Sequence, residues 1–237
     1  MDRKTSSPMN AAALRDALGH RIAVGEWRTG DQIPTQAALS AEYGASRHNV
    51  RAAIEMLEIQ GVVSTRQGSG TYVSGKLIDY FVKSRTRYGE NVSKSASSTR
   101  MELLHQQIRR GDPEIIRALA LPRGAAIHDI RILRWGGKDP LCIAHHAFSV
   151  ARYPDLPQHL ALASGISDLI RRLGIADFRR NDTAISARAP TRDEAHLLRI
   201  PMGSPILVLT GRNVDMGGVP VEVSTSIWAA SRIRVHV

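Results

Sequence analysis

Apolar residues near the N-terminus recur at helical spacing in three short stretches. The first stretch follows Ser7-Pro8, where a capping hydroxyl and a proline at the first helical position are typical of a helix start, and Gly25 ends it. Thr35 and Ser46 are the capping residues that we expect for the second and third helices. The third helix has the clearest buried stripe, which consists of Val50, Ala53, Ile54 and Leu57. Short helices joined by a tight turn are typical of a helix-turn-helix.

Two short runs with β-strand patterning come directly after the third helix. Residues 62–66 are followed by Gln67-Gly68-Ser69-Gly70, which predicts a tight turn, and by a returning strand over residues 71–73. The glycines allow positive φ angles and a close approach of the turn backbone to a phosphate or a minor groove. We therefore expect this hairpin to be the wing of a winged helix-turn-helix.

Polar side chains crowd the first turns of the third helix, off its buried stripe. Arginine can bind a guanine edge or a phosphate, asparagine can pair with adenine, and the helix N-terminus attracts phosphate. The same side chains would also suit a solvated helix start, and spacing alone leaves both interpretations open. The residues concerned are Ser46, Arg47, His48, Asn49 and Arg51.

Strand and helix patterns alternate irregularly over residues 112–237. Pro113 and Thr191 mark two helix starts, the second with Glu194 at the capping-box position, and Gly174 ends another helix. Strand patterns cover residues 127–135, 141–150, 182–187, 205–214 and 219–228. This order predicts an α+β fold with a mainly antiparallel sheet, because a regular βαβ rhythm is missing.

Charge and composition add a boundary and a class of partner. The 237 residues carry a net charge of +10, and residues 76–110 alone hold eight basic and three acidic side chains together with several serines. An excess of basic residues indicates an anionic partner, and a charged, serine-rich stretch is typical of a linker. We predict a winged helix-turn-helix domain over residues 1–75, a linker over residues 76–94 and a second domain over residues 95–237.

The sequence offers little support for catalysis, metal binding or membrane insertion. It has no Gly-rich phosphate loop ending in Lys-Ser or Lys-Thr, no His-Glu-x-x-His and no Gly-x-Ser-x-Gly. His145-His146 could ligate a metal, but neighbours on a strand point to opposite faces. The single cysteine, Cys142, excludes an internal disulfide. No apolar run suits a membrane span or a secretory signal, so we expect a cytoplasmic protein that is not an enzyme and has no cofactor, metal or membrane partner.

The N-terminal motifs occur together in one known family. The segments Ile33-Pro34-Thr35-Gln36, Ser46-Arg47-His48-Asn49-Val50-Arg51 and Gln67-Gly68-Ser69-Gly70-Thr71-Tyr72-Val73 resemble the winged-helix domain of the GntR family of bacterial transcription regulators. The family usually has Leu-Pro-Ser-Glu in the first segment and threonine at the position of Asn49, so the resemblance implies DNA binding without identifying the operator. The DNA-contacting residues that it implies are Thr35, Gln36, Ser46, Arg47, His48, Asn49, Arg51, Gln67 and Gly68.

The second domain resembles the HutC-type ligand-sensing domain, often called UTRA, which shares its fold with chorismate lyase. The resemblance lies in Arg131-Ile132-Leu133-Arg134 before Pro140, in Tyr153-Pro154-Asp155-Leu156 and in Gly218-Val219-Pro220-Val221-Glu222-Val223-Ser224. Within that group, the chain looks most like regulators of phosphonate uptake and breakdown. The resemblance implies that a small anionic effector binds in a cleft of this domain.

Five residues are the effector-binding candidates that this resemblance implies. Thr99 lies in a Ser/Thr loop, Arg131 and Arg134 share one predicted strand, and Glu222 matches an acidic ligand-facing position. His146 replaces a glutamate that is frequent in sugar-phosphate sensors, and an imidazole favours a phosphonate or phosphate over an amino sugar. Arg131 and Arg134 are odd and even along their strand, so they are expected to face opposite sides unless a bulge intervenes. A structural pair of Arg134 and Glu222 without any ligand is the alternative.

Together, the patterns and the resemblance predict a homodimeric, effector-responsive DNA-binding transcription regulator, expected to be a repressor. Two winged helices would bind an inverted repeat in double-stranded DNA, and the resemblance implies dimerisation through the sensing domain. Three alternatives stay open. They are a HutC-type sensor of urocanate or a sugar phosphate, a chorismate-lyase-like enzyme fused to a DNA-binding domain, and an architectural nucleic-acid binder that has no effector.

Overall fold

The N-terminal part of the chain folds as three helices followed by a two-stranded hairpin. The structure, a computed structural model, describes residues 9–28, 30–66, 68–74, 77–83, 85, 88, 92, 98–137 and 139–237. The elements of this part are α1 (Ala11–Ala23), α2 (Gln36–Tyr43), α3 (Arg47–Ile59), β1 (Val63–Arg66) and β2 (Gly70–Val73). The predicted buried stripe of α3 packs on α1 and α2 through Leu14, Leu18 and Leu39. These elements form the expected winged helix-turn-helix.

Helix caps explain where these helices begin. The side chains of Thr35 and Ser46 accept hydrogen bonds from the backbone amides three residues later, which confirms the predicted starts of α2 and α3. The predicted start of α1 was wrong, because Asn10 caps that helix by accepting from the Ala13 amide. Ser7-Pro8 lies outside the described residues.

A six-stranded antiparallel sheet dominates the rest of the chain, in the order β4-β5-β6-β9-β8-β7. Its strands are β4 (Thr99–Arg110), β5 (Ala126–Gly136), β6 (Asp139–Ser149), β7 (Phe178–Arg188), β8 (Ile206–Asp215) and β9 (Pro220–Ala229). Sequence patterning predicted four of these strands close to their observed bounds and predicted β7 too short. It missed β4, whose edge position leaves most of its side chains partly or fully exposed. The predicted α+β class with a mainly antiparallel sheet is confirmed.

In the described part of the chain, four short helices cover the two faces of this sheet. They are α4 (Pro113–Ala118), α5 (Leu156–Leu162), α6 (Ile166–Arg172) and α7 (Arg192–Leu198). Residues of α5 and α6 join one core with Ile132, Ala144 and Phe148. Residues of α4 and α7 pack on the opposite face, where Leu198 contacts Ile143 and Ile227. The predicted Thr191–Glu194 capping box at the start of α7 is present.

Part of the predicted linker is a strand of the second unit. The strand β3 (Ile78–Phe81) pairs in parallel with β10 (Ile233–His236), which follows a 3₁₀ turn at Ala230–Arg232. Ile78 and Tyr80 are buried in the same core as α5 and α6. The chain between the two domains is therefore built into the second domain before it reaches the large sheet.

None of the helices in the described part of the chain combines the length and the apolar surface needed to cross a bilayer.

Candidate functional site

The start of α3 presents an exposed cluster of cationic and polar side chains. Arg47, His48 and Arg51 are exposed and form no ion pair with any described residue, whereas the opposite side of the helix is fully buried. The Ser46 hydroxyl caps the helix and remains exposed. Because these guanidinium groups have no protein partner, they are available for phosphates and base edges.

Asn49 differs from its neighbours because its side chain is used inside the domain. Its amide Nδ2 donates to the Met9 carbonyl at 3.1 Å, and the residue is half-buried. This bond ties α3 to the chain just before α1. Thr35 and Gln36 are exposed at the start of α2, where the Thr35 hydroxyl accepts from the Ala38 amide at 3.2 Å.

The wing is held against the body of its domain by a glutamine. Gln32 Nε2 donates to the Ser69 carbonyl at 3.1 Å, and it occupies the space that a side chain at Gly70 would fill, since a Cβ there would lie 2.2 Å from Nε2. Gly68 has a φ of +73° and open space around it. Gln67, predicted to contact DNA, lies outside the described residues. The tip therefore leaves room for a close backbone approach.

Four of the five predicted effector-binding residues line one cavity of about 410 Å³ in the second domain. They are Thr99, Arg134, His146 and Glu222. Arg134 lies on β5, His146 on β6 and Glu222 on β9, and these strands are neighbours in the sheet. Thr99, predicted to lie in a Ser/Thr loop, is instead the first residue of the strand β4, and residues 93–97 before it lie outside the described residues. The cavity is within the size range of small-molecule sites.

The fifth residue, Arg131, lies on the opposite face of the sheet. Its guanidinium pairs with Asp193 of α7, away from the cavity. His145 likewise lies outside the cavity that His146 lines. The predicted alternation along β5 and β6 holds at these positions, and no cluster of metal-ligating side chains occurs among the described residues.

A continuous hydrogen-bond chain crosses the floor of the cavity. Asn213 Nδ2 donates to Glu222 Oε1 at 2.6 Å, and Glu222 Oε2 lies 3.1 Å from His146 Nδ1. On its other side, His146 Nε2 lies 3.2 Å from a guanidinium nitrogen of Arg134. Arg134, His146 and Glu222 are all buried. The Arg134–Glu222 pair that the sequence left as an alternative is therefore bridged by His146.

Burial and hydrogen bonding determine the protonation states of the residues in this series of hydrogen bonds. Burial lowers the pKa of His146, which favours the neutral imidazole. For Glu222, burial alone would raise the pKa, but the hydrogen bonds from His146 and Asn213 and the nearby Arg180 guanidinium outweigh burial and hold the pKa of the carboxyl below its ordinary value. Glu222 is thus a buried carboxylate beside a neutral histidine.

Sequence reasoning missed Arg180 and Asn213, which also line the cavity. The well-marked β8–β9 hairpin could have placed Asn213 beside Glu222, since the two are register partners. Arg180 carried no such signal, because it lies close to a register shift in β7. Its guanidinium lies over Gly211, where a Cβ would come 3.3 Å from the nearest guanidinium nitrogen. The Nε atoms of Arg134 and Arg180 are buried without a hydrogen-bond partner among the described residues.

The buried part of the cavity has an excess of positive charge. Arg134 and Arg180 contribute two guanidinium groups, whereas Glu222 contributes one carboxylate. At the rim, Asp168 pairs with Arg171 and Arg172, so this cluster does not remove the excess. A small oxyanion would compensate this excess charge.

The segment between the two domains also reaches the cavity. Tyr80 and Tyr88 line it, and both rings lie against Trp228 with centroid distances of 5.0 and 5.7 Å. Sequence patterning did not indicate this contact with the cavity, because the composition of residues 76–94 is typical of a linker. A bound molecule would therefore meet the connection between the two domains.

The winged helix contacts the second domain just past the end of α3. A Cβ at Gly61 would lie 2.7 Å from the Ser231 Cβ and 2.8 Å from the Ser231 carbonyl oxygen. Arg66 of the wing lies 3.6 Å from Asp139 at the β5–β6 turn. These contacts join the ends of α3 and β1 to the sheet domain.

Comparison with known proteins gives matches over both parts of the chain. The family model for bacterial regulatory proteins of the gntR family matches residues 10–73, and the UTRA domain model matches residues 95–234. "Probable transcriptional regulator PhnF" of Escherichia coli (strain K12) is 32% identical, over 88% of this chain and 86% of its own. The "mannosyl-D-glycerate transport/metabolism system repressor MngR" of the same strain is 27% identical, over 91% and 89%. A crystal structure of PhnF from Mycobacterium smegmatis has a TM-score of 0.64 at 23% identity, over 94% and 97%.

Proposed function

The chain belongs to the GntR family of bacterial regulatory proteins and carries a UTRA domain, and on that premise we propose that it is a homodimeric transcription repressor controlled by a small phosphonate or phosphate-like anion. The observation that carries this proposal is the cavity in which Arg134 and Arg180 face a single buried carboxylate, Glu222. The sequence resemblance to regulators of phosphonate uptake and breakdown supports the same ligand class, and the probable transcriptional regulator PhnF is among the similar proteins.

The proposed operator contact uses the start of α3 and the wing. Arg47, His48 and Arg51 reach base edges and phosphates in the major groove, and Ser46, Thr35 and Gln36 contact the flanking backbone. The wing turn at Gln67 and Gly68 lies along the adjacent groove. Asn49 acts through its bond to Met9, which fixes the angle of α3. Two such domains in a dimer bind the two halves of an inverted repeat.

The proposed effector site uses the charged floor of the cavity. The anionic head group binds Arg134 and Arg180, with His146 beside it and Thr99 donating from the cavity edge. Glu222 accepts a hydrogen bond from a hydroxyl or ammonium group elsewhere on the effector. Arg131 has no part in this site, because it pairs with Asp193 on the other face of the sheet.

Control of DNA binding is proposed to run through the segment that connects the domains. Tyr80 and Tyr88 line the cavity from this segment, so an effector that rearranges them shifts the positions of the two winged helices. Such a shift requires that the effector bind one arrangement of the dimer more tightly than the other.

Thermal unfolding of the full chain against a panel of small anions tests this function. The panel contains inorganic phosphate, methylphosphonate, 2-aminoethylphosphonate, sugar phosphates and urocanate. A ligand at about 100 times its Kd stabilises the native state by roughly 2.7 kcal/mol. We expect stabilisation by phosphonates or phosphate, its loss in Arg134→Ala and its retention in Arg131→Ala, which removes the same side chain from the other face of the same strand.

Other outcomes of this experiment identify the competing functions. Stabilisation by urocanate or a sugar phosphate alone would make the protein a sensor of that acid. Conversion of a panel compound, followed by NMR of the incubated mixture, would indicate an enzyme on the same fold. A panel without any response, together with equal affinity for operator and random duplex, would indicate an architectural DNA binder.

A further inference from the structure

The position of one proton in the cavity follows from hydrogen-bond chemistry. Arginine has only donors, so the 3.2 Å contact between Arg134 and His146 Nε2 requires that Nε2 accept and carry no proton. The proton of the ring is therefore on Nδ1, where it donates to Glu222 Oε2 at 3.1 Å. Asn213 donates to the other oxygen of the same carboxylate. His146 is neutral, and both of its nitrogens are engaged.

The neutral state of His146 determines the charge of the buried cavity. The groups that face His146 are Arg134 on β5, Arg180 on β7, Asn213 on β8 and Glu222 on β9, and they sum to one positive charge. From β3 and the connecting segment come Tyr80 and Tyr88, which stay neutral because burial raises the pKa of both hydroxyls. A monoanion would bring these floor groups to neutrality, whereas a dianion would leave one negative charge uncompensated, because the other charged residues of the lining, Arg100, Asp168 and Arg171, already form ion pairs.

An uncompensated buried charge is costly, and proteins commonly avoid it by a change of protonation. On the condition that the cavity binds anions as proposed above, we propose that His146 takes up one proton from solvent when a doubly charged anion binds beside Arg134. The anion takes over the hydrogen bond that the Arg134 guanidinium donated to Nε2. Nε2 then binds a proton from solvent and donates a hydrogen bond to the anion, so the proton stays on His146. The charge of the buried groups plus ligand then returns to zero.

The other described titratable groups around the cavity floor cannot take this role. Glu222 already accepts two hydrogen bonds, and its pKa is held low. Cys142 carries a proton already, since burial raises the pKa of its thiol to about 12. His145 points away from the cavity. His146 thus makes the site selective for the charge of its ligand, with doubly charged anions bound more tightly as the pH falls.

Sulfate and methanesulfonate are the probes that distinguish proton uptake by His146 from protonation of the ligand. Both have a tetrahedral sulfur head, one is a dianion and the other a monoanion, and neither is protonated near neutral pH. Calorimetric titration of the full chain, in two buffers that differ in ionisation enthalpy, counts the protons taken up per ligand. We expect about one proton for sulfate and none for methanesulfonate, with sulfate affinity falling by up to about tenfold for each pH unit of increase.

Two variants assign the proton to a residue. His146→Asn keeps a donor towards Glu222 and lacks Nε2, so we expect it to lose the proton uptake and the pH dependence while it still binds methanesulfonate. His145→Asn, one residue along the strand and facing away, keeps the behaviour of the wild-type protein. Uptake that persists in His146→Asn, sulfate bound without a proton, or no sulfate binding would overturn the inference. The proposed function fails separately, when methylphosphonate and inorganic phosphate also leave the protein unchanged.

Discussion

The guanidinium of Arg134 lies over the ring of Tyr88, with its central carbon 4.0 Å from the ring centroid. One side of this guanidinium is engaged with the inter-domain segment, while its edge contacts His146 in the floor of the cavity. Both residues line the same cavity. In the proposed effector site, an anion that binds Arg134 would change the charge felt by Tyr88, so the effector would meet the connection between the domains at this contact.

Replacing Tyr88 with leucine should uncouple effector binding from DNA binding. The cation–π contact is worth about 1–2 kcal/mol when it is shielded from water, so effector affinity should change by less than about thirtyfold. The effector should no longer release the operator, because leucine lacks the aromatic ring that contacts the Arg134 guanidinium. Fluorescence anisotropy of a labelled operator duplex, with and without methylphosphonate, measures both quantities.

Tyr88→Phe is the matched control for this variant, since it keeps the ring and removes only a buried hydroxyl that lacks a hydrogen-bond partner among the described residues. It should respond to methylphosphonate like the wild-type protein. A normal response in Tyr88→Leu would show that the signal takes another route.

Arg47→Ala should abolish preference for the operator. Arg47 is exposed at the first position of α3 and forms no ion pair with any described residue. Loss of a base contact costs about 1–3 kcal/mol of discrimination, whereas loss of a phosphate contact lowers the salt slope by about 0.9. Competition between an operator, obtained by selection from random duplexes, and random DNA at fixed salt gives the discrimination directly.

Arg179→Ala serves as the control for charge alone, because Arg179 is an exposed arginine of β7 in the other domain. It should keep full discrimination. If Arg47→Ala also keeps it, α3 is not the recognition helix.

Sequence patterning predicted well the elements whose side chains have a clear local role, such as a buried face or a helix cap. The stripe of α3 and the capping residues Thr35 and Ser46 depend on local spacing, and the structure agrees with them. The strand β4 was missed because an edge strand lacks a buried face along most of its length. The strand β3 was missed because its four residues are stabilised by β10, more than 150 residues later in the chain.

The residues of the candidate site likewise differ in whether the sequence indicated them. Arg134, His146 and Glu222 belong to motifs, and the structure brings them into one cavity. Asn213 joins them as the register partner of Glu222 in the β8–β9 hairpin, whereas Arg180 lies beside a register shift that single-sequence patterns do not reveal. Alternation along β5 indicated that Arg131 and Arg134 face opposite sides, and the ion pair of Arg131 with Asp193 agrees with it.

Acid should destabilise the protein partly through Glu194. The guanidinium of Arg188 and the Thr191 amide hold the pKa of this carboxyl at about 2, below its ordinary value of 4.5. Because the folded-state pKa is depressed, the stabilisation is fully present above about pH 4.5 and is lost as the pH falls towards 2. The free energy involved is about 1–3 kcal/mol.

Thermal unfolding between pH 6 and pH 2.5 tests this expectation. Glu194→Gln should lower Tm at pH 6 and show a smaller further loss on acidification than the wild-type protein. Glu114→Gln alters an exposed carboxyl in the first turn of another helix and should leave the profile almost unchanged. Parallel acid profiles for Glu194→Gln and the wild-type protein would mean that other carboxylates account for the whole effect.

Gly61→Ala should separate the winged helix from the sensing domain. Gly61 follows α3 with a φ of +73°, and a Cβ there would lie 2.7 Å from the Ser231 Cβ and 2.8 Å from its carbonyl oxygen. Since the obstacle is largely backbone, it cannot rotate away, and the two surfaces must move apart. The left-handed conformation itself costs an alanine about 1 kcal/mol, so this strain has to be measured separately.

Gly25→Ala supplies that measurement, because Gly25 also follows a helix with positive φ but has nothing within 4 Å of the added Cβ. Both variants should lose similar stability from strain. Only Gly61→Ala should show faster amide hydrogen exchange around Ser231 and Gln60, and in it the ratio of operator affinities with and without methylphosphonate should fall towards one. Equal exchange and equal responses in the two variants would mean that the contact at Ser231 carries no part of the coupling between effector and operator.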